Sequence, residues 1–142
     1  MSSSMRTANN RQQHKQLVFM NFAKLISTLS TCSRLQVGSV VTNENLSKVY
    51  AIGYNGNSRG FPNKCDSEEL GNCGCIHSES NSLIKCGTND QKKILFVTTL
   101  PCMRCAKLII NSGFKEIFYK EEYRDLTSLV YFKKAGITIT KI

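Results

Sequence analysis

The tightest constraint on this 142-residue chain comes from two short segments that must meet in space. Pro101-Cys102-Met103-Arg104-Cys105 follows an apolar run, Ile94 to Thr98, and His77-Ser78-Glu79 lies ahead of that run. Cys102 and Cys105 are three apart at the start of a predicted helix, so both sulfurs share one face of its first turn. Pro101 suits that position because its missing N–H would have no intrahelical partner. The positive end of the helix favours thiolate over thiol. Two thiolates and the neutral imidazole of His77 make three ligands for a zinc ion. A fourth position is left for water, the pattern of a catalytic rather than a structural site. Glu79, two residues past His77, puts a carboxylate close to the metal without needing to be a ligand. A structural zinc ribbon built from Cys73, Cys75, Cys102 and Cys105 is the alternative, and it leaves Glu79 without a role.

The pattern around these segments alternates strand and helix. His14 to Ser30 places Val18, Phe22, Leu25 and Leu29 on one face of a predicted amphipathic helix. Val37 to Thr42 and Val49 to Gly53 read as strands joined by a turn over Asn43 to Ser47. Tyr54 to Gly74 is rich in Gly, Asn, Pro and Ser, a long loop of the kind that usually carries function. A helix runs from His77 towards Lys85 and ends at Gly87. Then come a strand over Ile94 to Thr98, a helix over Pro101 to Asn111, a strand over Glu116 to Tyr119, a helix over Leu126 to Lys134 and a strand over Ile137 to Thr140. The first two strands form a hairpin and the later ones pair in parallel. The expected fold is α/β, a three-layer α/β/α sandwich around a mixed five-stranded sheet. Residues 1–13 are expected to be frayed and residues 14–142 to form one domain.

Seven cysteines is an odd number, and no secretion signal precedes them, so metal binding or catalysis is favoured over a disulfide framework. The early apolar stretch Leu17 to Ile26 is too short and too polar for a bilayer helix. The expected location is therefore the cytoplasm. A net charge of +9 points to an anionic partner, either a phosphorylated small molecule or a nucleic acid.

The order His-x-Glu then Pro-Cys-x-x-Cys is the signature of zinc-dependent deaminases of nucleobases. Further segments narrow it: Cys32-Ser33-Arg34-Leu35-Gln36-Val37-Gly38, Gly53-Tyr54-Asn55-Gly56 with Arg59-Gly60-Phe61, His77-Ser78-Glu79-Ser80-Asn81, Pro101 to Ile109, and Ala135-Gly136-Ile137. From about His14 onward the chain resembles the deoxycytidylate (dCMP) deaminases. The resemblance implies hydrolysis of dCMP to dUMP and ammonia, with zinc on His77, Cys102 and Cys105 and with Glu79 as general acid and base. It implies contact of Asn55 with the nucleoside, and Arg34 and Tyr123 are the candidates for the 5′-phosphate. Arg34 has the bidentate chemistry for that role. It further implies a hexamer, activation by dCTP and inhibition by dTTP with Mg2+. The associated regulatory residues are Gly53, Tyr54, Asn55, Gly56 and Arg59. Some members hold a second, structural zinc, for which Cys32, Cys65, Cys73 and Cys75 are the candidates. Where the common motif is His-Ala-Glu-x-Asn-Ala, this chain has serine at 78 and 82.

Two other functions fit parts of the pattern. A deaminase editing tRNA or single-stranded DNA would use the same zinc chemistry, and Arg6, Arg11 and Lys15 with the +9 charge favour it. Such enzymes stack flanking bases on aromatics, and this chain has no Trp. A non-catalytic zinc module binding nucleic acid would leave Glu79 incidental.

Overall fold

A computed structural model describes residues 8–69, 73–87 and 92–142. The sheet has five strands in the order β2-β1-β3-β4-β5. These are β1 (Gly38–Asn43), β2 (Val49–Tyr54), β3 (Lys93–Thr99), β4 (Phe114–Glu121) and β5 (Thr138–Lys141). β1 runs antiparallel to both β2 and β3, while β3, β4 and β5 are parallel. The mixed sheet expected from the sequence is the one observed. Asn43 makes the hairpin turn, its Oδ1 accepting from the N–H groups of Ser47 and Lys48 at 2.9 and 3.0 Å.

Side chains alternate across a strand, and β3, buried along its whole length, divides its residues between two cores. Ile94 and Phe96 join Val40, Phe118, Met20, Ala23 and Ile26 on one face. Leu95 and Val97 join Val41, Ile117, Ala106, Ile109 and Phe132 on the other. The first face is covered by helix α1 (Ala8–Ser27). The second is covered by α2 (Ser78–Cys86), α3 (Met103–Ile110) and α4 (Thr127–Lys134). The three layers are α1, the sheet, and the remaining helices.

Two expectations for the first helix fail. α1 begins at Ala8, inside the segment expected to be frayed, while residues 1–7 lie outside the described residues. The helix ends at Ser27, where Ser27 and Thr28 hydroxyls donate back to the carbonyls of Lys24 and Leu25. Its buried face also differs. Val18, Leu25 and Leu29 are exposed, whereas Met20, Ala23 and Ile26 are buried. Close approach explains the rotation. A Cβ on Gly38 would lie 2.1 Å from the Ala23 carbonyl oxygen and 2.5 Å from the Ser27 nitrogen. β1 passes too near the helix backbone for a leucine to stand between them, so small Ala23 faces the sheet; of the expected stripe only Phe22 packs against the core, partly buried, while Val18, Leu25 and Leu29 turn outward.

Gly38→Ala forces backbone against backbone, so overpacking destabilises by about 1–3 kcal/mol or more. Urea denaturation is expected to show a lowered midpoint at unchanged slope.

Candidate metal centre and nucleotide site

His77 and Cys102 are not inside helices but cap them. Each has extended backbone immediately before a helix, α2 for His77 and α3 for Cys102. The two helix N-termini converge at one end of the sheet. His77 Nδ1 lies 3.2 Å from Cys105 Sγ and 3.4 Å from Cys102 Sγ. One donor atom from each of the three falls within 4.8 Å of the others. Glu79, on the first turn of α2, is 4 % exposed. Nitrogen and two sulfurs with a carboxyl beside them fit a tetrahedral zinc site with one open position.

The electrostatics of the cluster follow from these contacts. A hydrogen bond from Cys105 draws the Cys102 thiol down to about 3, His77 adding to the effect against the cost of burial. Cys105 moves the other way, because its neighbour Cys102 takes the negative charge and burial opposes a second one. The hydrogen bond with Cys102 raises His77. Burial pushes the Glu79 carboxyl above its usual range. A carboxyl held there both accepts and returns a proton more readily than a solvated one.

Ser78 and Ser82, which replace the common alanines, do not face the metal cluster. Both are fully buried against the sheet. Ser78 Oγ donates to the Gly53 carbonyl at 2.9 Å and lies 2.7 Å from Ser39 Oγ, which is itself 2.7 Å from Ser82 Oγ.

The other candidate residues fall into distinct environments. Asn55 is buried, with its amide engaged: Oδ1 accepts from Val37 N–H at 2.8 Å and Nδ2 donates to the Leu35 carbonyl at 2.6 Å. Gly53 sits in β2 against α2, where a Cβ would meet the Ser78 carbonyl oxygen and the Ser82 hydroxyl at 2.4 Å. Gly56 exchanges two backbone hydrogen bonds with Ile76, the residue before His77. Tyr54 is half-buried on the α1 side of the sheet, and Arg59 is exposed beside Gly60 at φ 87°. Exposed Arg34 donates from Nη2 to the Glu68 carbonyl. Tyr123 packs on the core under α3 and α4, with the Arg124 guanidinium carbon 5.4 Å from its ring centre.

A second group of donors is assembled apart from the first. Sγ atoms of Cys32, Cys65, Cys73 and Cys75 all lie within 4.8 Å of one another. Hydrogen bonds, led by one from Cys73, draw Cys65 down to about 6, while burial pushes Cys75 up. Asn81, quoted above only as part of a motif, carries an amide bond to β2 that spacing alone did not suggest.

Fold and site together define a domain of the zinc-binding deaminase family. The chain belongs to the cytidine and deoxycytidylate deaminase family, whose zinc-binding region matches residues 12–121. It is 36% identical over 134 residues to the deoxycytidylate deaminase of Saccharomyces cerevisiae, covering 85% of this chain and 42% of that one. It is 33% identical over 140 residues to the Homo sapiens deoxycytidylate deaminase, covering 87% of this chain and 76% of that one. The chain thus spans less than half the length of the yeast relative. Among solved structures, the dCMP deaminase of cyanophage S-TIM5 in complex with dCMP and dUMP superimposes with a TM-score of 0.82 at 31% identity. That match covers 91% of this chain and 97% of the phage one.

Replacing Cys105 by alanine removes one of the three donors. Zinc affinity at this centre is expected to fall by more than the 10–100-fold typical of changes to groups that merely support a ligand. Competition with a chromogenic chelator measures it.

Proposed function

We propose that this protein hydrolyses dCMP to dUMP and ammonia. The observation that carries the reading is the buried carboxyl of Glu79 beside the imidazole and two sulfurs of His77, Cys102 and Cys105. The likeness to a phage dCMP deaminase seen with dCMP and dUMP supports the substrate. Zinc on those three residues supplies Lewis acidity that brings the pKa of water in its open position to about 7. Glu79 takes a proton from the attacking water and gives it to N3 of the ring. It then relays the second proton to the departing 4-amino group. Water and dCMP are consumed, and dUMP and ammonia leave.

The remaining roles follow in the same reading. Asn55 faces the nucleoside with the one amide hydrogen not given to Leu35, while its other bonds hold the 35–37 backbone in shape. Arg34 takes the 5′-phosphate after releasing the Glu68 carbonyl, and Tyr123 flanks it. Gly53, Tyr54, Asn55, Gly56 and Arg59 form the region through which dCTP activates and dTTP inhibits, with Mg2+ accompanying the nucleotide. Among them Arg59 is the exposed cation, whereas Gly53 contributes by seating α2. The protein assembles as a hexamer and works in the cytoplasm. No helix among the described residues is long and apolar enough to cross a membrane. A second, structural zinc sits on Cys32, Cys65, Cys73 and Cys75, a four-thiolate set of the kind that closes structural sites.

Purified zinc-loaded protein is expected to release ammonia from dCMP and not from a cytosine-containing oligonucleotide. Glu79→Gln should lower kcat by at least ~10²-fold. Activity on the oligonucleotide alone would replace this reading by nucleic-acid editing, and an unimpaired Glu79→Gln variant would remove the acid–base role.

The regulatory and metal readings are checked separately. dCTP should steepen the approach to low dCMP concentrations and dTTP oppose it, each raising the melting temperature as any ligand of the native state does. Elemental analysis should find two zinc ions per chain. Unchanged saturation curves and melting temperatures would sink the regulation, and one zinc in fully active protein would remove the second site.

A further inference from the structure

We propose that Asn81 is a positioning residue that sets the place of His77 and Glu79 by clamping the first turn of α2 to the edge strand β2; the inference rests on the reading of His77 as a metal ligand. The fully buried side chains of α2 are Ser78, Glu79 and Ser82, all polar. A helix seated on apolar side chains is fixed by non-directional forces. A helix seated on hydrogen bonds is fixed in height and rotation, since those bonds demand defined distances and angles. Asn81 makes two of them. Its backbone N–H donates to the His77 carbonyl at 3.1 Å, closing the turn that contains both His77 and Glu79. Its side-chain Nδ2 donates to the Tyr54 carbonyl at 2.8 Å.

β2 lies at one edge of the sheet, so carbonyls on its outer side need partners from elsewhere. α2 supplies two. Lys85 Nζ donates to the Ile52 carbonyl at 2.8 Å, one helical turn beyond Asn81 and two strand residues before Tyr54. Four helical residues advance about 6 Å and two strand residues about 6.8 Å, so both bonds form in a single alignment of helix on strand. The two bonds share a length of 2.8 Å and a strand-carbonyl acceptor, one from a neutral amide and one from an exposed ammonium, and they sit at opposite ends of α2. Asn81 is at the end bearing the metal ligand, and Lys85 is at the far end. The Gly56–Ile76 bridge and the Ser78 bond to Gly53 bracket His77 on the same strand segment. Asn81 adds the anchor that fixes the turn after it.

The pair of bonds gives the test an internal control. Asn81→Asp replaces the donor by an acceptor facing a carbonyl, Asn81→Ala removes it without repulsion, and Lys85→Met removes the distal bond. Zinc affinity by chelator competition, urea stability, and kcat and KM for dCMP are measured on all three. Both Asn81 variants are expected to hold zinc at least ~10-fold more weakly. Their kcat should fall by ~10-fold or more, since displacement of a catalytic group by about 1 Å costs up to ~10²-fold, while KM stays within about twofold. Lys85→Met is expected to change neither zinc affinity nor kcat. Wild-type zinc affinity in Asn81→Ala, or an equal loss in Lys85→Met, would overturn the proposal and leave both residues as edge-strand caps. If the wild-type protein leaves dCMP untouched, the substrate reading fails, and the zinc measurements still decide the role of Asn81.

Discussion

The approach of one short helix to one glycine on an edge strand governs the rest of the site. Gly53 leaves no side chain between β2 and α2, and even a methyl group there would overlap the Ser78 carbonyl and the Ser82 hydroxyl. At that separation no large side chain can stand between β2 and α2, although Leu83 and Cys86 of the helix pack against the core of the second face. The contact is made by hydroxyls. Ser39, Ser78 and Ser82 are buried, and each has a single hydrogen to give. The Gly53 carbonyl can only accept, so Ser78 gives its hydrogen there. Ser39 gives its hydrogen to the Ser78 carbonyl at 3.1 Å, and Ser82 then donates to Ser39 Oγ at 2.7 Å. No hydroxyl of the three is left unpaired, which is what makes burying them tolerable. The two serines that depart from the common alanines thus belong to the seat of the helix.

Asn55 is the joint between that seat and the segment carrying Arg34. Its N–H donates to the Val37 carbonyl, and its own carbonyl accepts from the Ser30 hydroxyl and the Thr31 N–H. The side chain adds the Val37 and Leu35 bonds. The neighbouring residues Tyr54 and Gly56 hold Asn81 and Ile76. Residues 53–56 therefore carry the helix of His77 and Glu79 on one side and the 30–37 segment on the other. A nucleotide touching any part of this stretch acts on both, which gives the proposed regulation a physical route.

Much of this was legible in the sequence, for reasons that differ by element. The succession of elements and the mix of a hairpin with parallel strands followed from alternating apolar runs and from the turn chemistry around Asn43, whereas the placing of β1 between β2 and β3 was not read. The metal cluster followed from residue types whose spacing has few other uses: sulfurs three apart at a helix start, and a histidine two ahead of a glutamate. The seated face of α1 was misread because apolar residues occupy two adjacent stripes. The choice between them is made by Gly38 across the interface, a long-range fact absent from helical periodicity. The start of α1 was misread because polar residues such as Asn9, Arg11 and Gln12 carry no apolar signal, although their helix is continuous with the packed part. Asn81 was hidden for a related reason. Its partner is a backbone carbonyl, and a backbone partner leaves no mark on composition.

The described residues between Asn57 and Cys75 fold around the four-cysteine group. Asp66 accepts from Asn57 Nδ2 at 2.7 Å, and its N–H donates to the Cys73 carbonyl at 2.7 Å, folding the loop back on itself. Cys32 meets Cys65 and Cys73 across that fold, only two residues from Arg34. Arg34 in turn holds the Glu68 carbonyl. In the proposed reading, a nucleotide phosphate would draw on that same guanidinium. A doubly charged phosphate offers charge-assisted hydrogen bonds about twice as strong as a neutral carbonyl does. On that proposal the exchange from Glu68 to phosphate would be favoured, with Cys32 held by its contacts to Cys65 and Cys73. In that reading the four-thiol cluster would hold the 32–34 backbone while the Arg34 side chain changes partners.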